Sequence, residues 1–287
     1  MRRIVAARRL ALEGAYNFRD LGGLTTQDGK TIRWGQVFRS DALANLTAAD
    51  YVRLNQIGIS LVCDLRTREE RRTSPTEWKD GSPMFVLAPV SEDEKGNGRT
   101  TDMLSRLQSG KVSIEEGRVI FEQFYTATAL ESAPKFGAVL RSIAYAQRPS
   151  LFHCQGGRDR TGMTGAMLLQ ILGVPRETIL ADYVLSTKYL SERPASAAAA
   201  NNAGAAGDRE TLCRSDRTAA PLYRGRLSSD RQEVRIFRSL PPRWTWTDGR
   251  RGSEAEVQAS GIGRQTNAGA FREQPLRATP NTRHRFI

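Results

Sequence analysis

Short apolar runs recur along the first two thirds of the chain, separated by longer stretches with helical spacing. Gln36–Arg39 and Ile59–Leu65 read as short buried strands, the second spelling Ile-Ser-Leu-Val-Cys-Asp-Leu. Met84–Val90 and Ser150–His153 are further strand candidates, and the last runs straight into a glycine-rich turn. Between them, Thr47 is placed to cap a helix that runs through Gln56 and stops at Gly58. Ser113 with Glu116 forms a capping-box pattern for a helix carrying Ile120, Phe121, Phe124 and Tyr125. Pro134 opens a helix through Tyr145, Thr161–Leu172 is helical and ends at Gly173, and Pro175 starts a last helix through Leu190. Short strands alternating with helices predict an α/β fold: a central parallel sheet flanked by helices.

The pattern changes after Arg193. A low-complexity stretch, Ala-Ser-Ala-Ala-Ala-Ala-Asn-Asn-Ala-Gly-Ala-Ala-Gly, begins at Ala195, and no sustained period follows from Asp208 to Ile287. Two segments result: a folded α/β domain over 1–193, and a low-complexity, arginine-rich segment over 194–287. The second reads as a disordered tail, because it cannot bury enough apolar surface to offset its ordering entropy, or as out-of-frame translation. Composition adds less. The net charge of +12 invites nucleic acid, but much of the excess lies after Arg193, where lysine is absent, so no nucleic-acid partner is expected. Three cysteines, Cys63, Cys154 and Cys213, do not make a disulfide framework and fit a reducing compartment. With no signal-peptide pattern and no long apolar run, the expectation is a cytoplasmic protein without membrane insertion, unconventional export being left open.

The chemistry lies in His153-Cys154-Gln155-Gly156-Gly157-Arg158-Asp159-Arg160-Thr161-Gly162. A strand delivers a cysteine into a tight loop, and a helix starts at its far end. Glycines let backbone N–H groups turn inward as an anion nest, and the helix adds its positive end. Gln155, Gly156, Gly157, Arg158 and Thr161 are therefore candidate phosphate-binding positions. Arg160 can grip two phosphate oxygens with its planar fork, and the same field favours a thiolate at Cys154. Gly157-x4-Gly162-Met163-Thr164 comes one residue from a nucleotide-binding loop, but methionine stands where lysine must reach the phosphates. His153 reads as a structural residue that holds the loop, and Cys63 as a small core residue. Arg19, Asp20, Arg39 and Asp41 read as organisers of the N-terminal segment and the rim. Trp34, Trp78, Phe121 and Tyr125 read as packing residues. No Cys/His ligand spacing is present, so no metal or cofactor is expected.

The Cys-x5-Arg stretch resembles the signature loop of protein tyrosine phosphatases. Its form is similar to that of the bacterial family containing mycobacterial and listerial enzymes that act on phosphotyrosine and lipids. Three further stretches agree in order: Asn17-Phe18-Arg19-Asp20-Leu21-Gly22-Gly23; Phe38-Arg39-Ser40-Asp41-Ala42-Leu43 with Leu46-Thr47; and Val62-Cys63-Asp64-Leu65-Arg66-Thr67 with Glu70-Arg71. The resemblance covers about Leu12 to Arg193. It implies the cysteine-phosphatase fold, with Cys154 as nucleophile and Arg160 as phosphate clamp. Thr161 would hydrogen-bond the sulfur. Asp159 is the first choice for general acid and Asp64 the second, and Arg158 could meet a second anionic group. The implied activity is phosphomonoester hydrolysis through a phosphocysteine, on phosphotyrosine protein first and phosphoinositide second. A non-catalytic phosphate-binding module is the alternative from another class.

Overall fold

The computed structural model describes residues 8–79, 81–91, 113–194, 245–247, 256–258 and 286. Its centre is a five-stranded sheet of β1 (Arg19–Asp20), β2 (Val37–Ser40), β3 (Leu61–Asp64), β4 (Met84–Leu87) and β5 (Ser150–His153). The strands lie in the order β1-β2-β5-β3-β4, with β1 antiparallel to β2 and the other pairs parallel. The helices are α1 (Ala48–Ile57), α2 (Arg68–Thr73), α3 (Ile114–Glu131), α4 (Ala133–Tyr145), α5 (Asp159–Ile171) and α6 (Arg176–Ser191).

Period-two alternation assigns the strand residues to two cores. Val37, Leu61, Cys63 and Phe152 face one side, where Phe124 of α3, Phe136, Val139 and Ile143 of α4, Met163 and Leu169 of α5 and Tyr183 of α6 cover them. Phe38, Val62 and Leu151 face the other, against Leu54 of α1, Leu43, and Leu12 and Phe18 of the N-terminal segment. Each fully buried side chain of this size contributes about 1.5–3 kcal/mol before entropy is counted. The strand runs lack a polar face because both faces of the sheet are covered.

Local signals set the helix ends as expected. Thr47 and Asp50 form a reciprocal capping box, and Gly58 closes α1 at φ 72°. Ser113 and Glu116 do the same for α3, and Pro134 sits in the first turn of α4. The helix after the cysteine loop starts at Asp159, two residues earlier than Thr161. Two elements escape the sequence pattern. The two-residue β1 is too short to show a period, and α2, Arg-Glu-Glu-Arg-Arg-Thr, buries no residue and so has no apolar stripe to detect. Strand β4 forms where Met84–Val90 was a strand candidate, and Met84 and Leu87 are 61% and 57% exposed because it is the edge strand.

The tail reading falls almost wholly outside the described residues. Within them, β6 (Thr245–Thr247) and β7 (Glu256–Gln258) pair antiparallel. Phe286 lies in the first core, and its carbonyl accepts the Arg33 N–H at 2.9 Å. No helix among the described residues is long and apolar enough to cross a membrane.

Candidate active site

Register places the site. Ser40 of β2 and Asp64 of β3 both pair with His153 of β5, so three parallel strands end level with one another. The loops leaving those ends meet at one point, where the carboxyl ends of a parallel sheet open a crevice. Cys154 follows β5 directly and is 2% exposed. The Gly157 N–H donates to its Sγ at 3.3 Å. Gly157 has φ 66°, and a Cβ there would stand 2.6 Å from the Ser40 carbonyl oxygen and the Asp41 nitrogen. Only glycine fits, since the turn must be left-handed and must pass against the backbone after β2. At the far end, α5 begins with no side chain capping its N-terminus, which leaves first-turn N–H groups for a ligand.

The loop is braced from behind. Its Gly157 carbonyl accepts from Asn17 Nδ2 at 2.9 Å and Arg39 Nη2 at 3.0 Å. The Gln155 carbonyl accepts the Ala42 N–H at 3.0 Å. Arg39 is held by Asp182 of α6 at 2.8 Å, and Arg8 and Arg19 bind the same carboxylate. Burial favours the neutral acid at Asp182, but the three guanidiniums outweigh it and hold the group ionised far below the usual carboxylate range. Burial and neighbouring Arg19 bring Arg39 down to about 9, against the pull of Asp182. Asp41 accepts the Tyr16 and Asn17 N–H groups and Arg193 Nη2 at 2.9 Å.

Arg160 makes a two-pronged ion pair with Glu70 of α2, each N···O distance being 2.6 Å. Glu70 also accepts the Thr67 N–H at 2.8 Å, so the cap of α2 and the seat of Arg160 are one carboxylate. Burial opposes ionisation of Glu70, but Arg160 and the Thr67 N–H hold it below its ordinary value.

Asp159 lies at the first turn of α5 with its side chain 35% exposed. Its Oδ1 accepts from the Tyr125 hydroxyl of α3, from the Tyr183 hydroxyl of α6 at 3.3 Å and from Arg158 Nε at 3.3 Å. Burial would raise this carboxyl, but Arg158, the Tyr125 hydrogen bond and Arg160 keep it below the ordinary value. Asp64 is placed differently. It is 1% exposed, and Arg66 binds it through Nη2 at 2.8 Å and Nε at 3.0 and 3.1 Å. That leaves Asp159 as the carboxyl on the open side of the loop. Thr161 is fully buried, and its Oγ1 has no hydrogen-bond partner among the described residues. Cys63 is buried in the sheet, which pushes its thiol up to about 12. Among the described residues, no group of three or more histidine, cysteine, aspartate or glutamate side chains could hold a metal ion.

His153 is fully buried, with Nδ1 3.4 Å from the Cys154 carbonyl and Nε2 3.7 Å from Asp64. Burial, helped by Arg66 and Arg160 and opposed by Asp64, lowers it to about 4. Its folded value lies below the ordinary 6.5, so the unfolded chain binds the proton more readily. The His153 contribution is complete above pH 6.5 and is lost as pH falls towards about 4, by about 3 kcal/mol. The raised carboxyls of Asp20 and Asp41, desolvated by burial, act in the opposite sense. Urea unfolding across this window should show a steeper acid loss in the wild type than in His153→Gln. Equal slopes would remove the histidine from the account.

Tyr125 packs in the core as its helical spacing predicts, and its hydroxyl in addition reaches Asp159, a contact that the sequence pattern does not show. The Thr-x-x-Glu spacing from Thr67 is a signal that could have marked Glu70 as a helix cap, though not as the partner of Arg160. Asp182, a lone acid in Ile-Leu-Ala-Asp-Tyr-Val, carried a signal: an acid on a buried helix face demands cations. The side chain of Phe121 lies outside the described residues.

Comparison with known proteins agrees with this geometry. The model of the tyrosine phosphatase family matches residues 10–233, running past Arg193 into the segment without sequence pattern. A Cupriavidus necator protein carrying a tyrosine-protein phosphatase name is 33% identical over 180 residues, 62% of this chain and 63% of that protein. The triple specificity protein phosphatase PtpB of Mycobacterium tuberculosis is 32% identical over 194 residues, covering 61% of this chain and 68% of its own. A tyrosine-protein phosphatase of Nostoc commune is 32% identical over 158 residues, 54% and 50% of the two chains. The chain thus spans between half and about two thirds of these relatives' lengths.

Proposed function

The chain belongs to the tyrosine phosphatase family, and from that premise we propose that it hydrolyses phosphomonoesters, phosphotyrosine in proteins first, through a phosphocysteine at Cys154. The observation that carries this is the loop itself: Cys154 Sγ receives the Gly157 N–H beneath an uncapped helix N-terminus, with Arg160 six residues on. The thiolate attacks phosphorus, the S–P bond forms as the P–O bond to the leaving group breaks, and Asp159 in its protonated form, which its depressed carboxyl confines to acid pH in the free protein, gives its proton to the departing oxygen. Loop N–H groups and Arg160 stabilise the charge on the equatorial oxygens. Water then attacks the phosphocysteine and Asp159 takes its proton. The unpartnered Thr161 hydroxyl supports its role as donor to the departing sulfur.

Hydrolysis of para-nitrophenyl phosphate in the presence of chelator, with acid quench and mass spectrometry of the Cys154 peptide, tests the reading. A peptide heavier by one phosphoryl group is expected. Tight phosphate binding without turnover would instead establish a binding module. Asp159→Asn should slow phenyl-type esters with poor leaving groups by about 10²–10⁴-fold, the usual worth of a positioned acid, and good leaving groups far less. Equal loss for both would confine Asp159 to loop structure and return Asp64 to the role.

A doubly anionic substrate such as a phosphoinositide has one observation in its favour. Arg158 lies beside Asp159 with its side chain 23% exposed, a second cation at the mouth of the loop. A panel of phosphopeptides and phosphoinositides at equal concentration ranks the two.

A further inference from the structure

We propose that Tyr125 and Tyr183 are positioning residues for the general acid: they pin Asp159 Oδ1, so that Oδ2 carries the proton delivered to the leaving group. The inference rests on the reading of Asp159 as the acid and deepens it.

The geometry is one-sided. Tyr125, Tyr183 and Arg158 all reach the same carboxylate oxygen, Oδ1. Oδ2 accepts no hydrogen bond among the described residues, and the carboxyl is 35% exposed. The tyrosines come from different helices, α3 and α6, and their hydroxyls are 2.9 Å apart. Each hydroxyl owns one proton. Tyr125 gives its proton to Oδ1, and Tyr183 shares its one proton between Oδ1 at 3.3 Å and the Tyr125 oxygen at 2.9 Å, the shorter of the two contacts. Tyr125 is therefore the direct donor and Tyr183 the residue that orients it. Burial, together with Asp159 and Tyr183, keeps the Tyr125 hydroxyl protonated well above its ordinary range, so it stays a donor at every working pH. The rings are packed in the main core, Tyr125 and Tyr183 being 6% and 4% exposed. Gly162 admits this arrangement, since a Cβ there would stand 2.3 Å from the Tyr183 ring.

An acid on the first turn of a helix has two rotatable bonds and two equivalent oxygens. Fixing one oxygen fixes the other in direction, which is what proton delivery to a leaving oxygen requires. The groups facing Asp159 among the described residues are Arg158 and Arg160 from its own segment, Tyr125 from α3 and Tyr183 from α6. Glu70 stands behind Arg160. Deleting a donor to the carboxylate destabilises only its charged form. The acid then holds its proton to higher pH while delivering it less accurately.

The test compares wild type, Tyr125→Phe, Tyr183→Phe and Asp159→Asn on aryl phosphates of graded leaving-group acidity. For Tyr125→Phe, the alkaline limb of kcat/KM should move up by roughly one pH unit, the worth of one hydrogen bond to a charged group. Dependence of kcat on the leaving group should steepen toward that of Asp159→Asn. Tyr183→Phe should shift both in the same direction by less. An unmoved limb and slope in Tyr125→Phe overturn the proposal, as does a uniform loss across leaving groups. If Tyr125→Phe does not fold, the same criteria applied to Tyr183→Phe decide. Should Asp159→Asn itself show no leaving-group dependence, the acid assignment fails. Dependence in Asp159→Asn without any in the tyrosine variants refutes only the pinning.

Discussion

Cys154→Ser should lower kcat on para-nitrophenyl phosphate by on the order of 10⁴-fold or more, the scale on which losing a nucleophile acts. A hydroxyl in this position stays protonated and attacks poorly, although it is close to the thiol in size. Anion binding should survive. The open helix terminus and the Arg160–Glu70 pair do not depend on sulfur. Calorimetry with a phosphotyrosine peptide should therefore give a Kd within a few-fold of the wild-type KM. Turnover of the serine variant above about one per cent of wild type would refute the nucleophile assignment. A second buried thiol among the described residues provides the control. Cys63 faces the core with its thiol pushed up to about 12, so iodoacetate should label Cys154 and leave Cys63 untouched in the folded protein.

Arg160→Ala should cost roughly 10³–10⁵-fold in kcat/KM, the range in which a transition-state arginine operates on phosphoryl transfer. Lysine should rescue little of this. It restores the charge but not the fork that the two 2.6 Å bonds to Glu70 hold flat. Glu70→Gln is the more informative partner. It removes the carboxylate that aims Arg160 while keeping much of the side chain's shape, and a loss of about 10²-fold is the expected cost of a misplaced charged group. On the Arg160→Ala background the same change should cost almost nothing, because the two residues act as a unit. Additive losses in that double-mutant cycle would separate them and leave Glu70 only its helix cap.

Different residues explain what the sequence could and could not reveal. Gln36–Arg39, Ile59–Leu65 and Ser150–His153 were legible because a strand buried on both faces carries consecutive apolar residues, as in Val37-Phe38, Leu61-Val62-Cys63 and Leu151-Phe152. The cysteine loop was legible because its chemistry is confined to ten consecutive residues. The bracing behind the loop was not. Asn17, Arg39 and Asp182 act together only after the chain has crossed the sheet several times, and no local period joins residue 39 to residue 182. Tyr125 shows the same limit in one side chain. Helical spacing correctly puts its ring in the core, while the hydroxyl's target, 34 positions away in sequence, is visible only in three dimensions.

The uncapped start of α5 sets a trade-off for anyone wishing to stabilise this protein. Placing serine or aspartate at an open helix N-terminus is a routine repair worth about 0.5–2 kcal/mol. Here the vacant position is Arg158, and the amides such a side chain would satisfy are those a phosphate would use. A resident cap would compete with substrate from within the chain, at an effective concentration no ligand in solution could match. The fold thus withholds a local repair from its most functional helix, and resting-state stability and anion affinity at this point draw on the same few N–H groups.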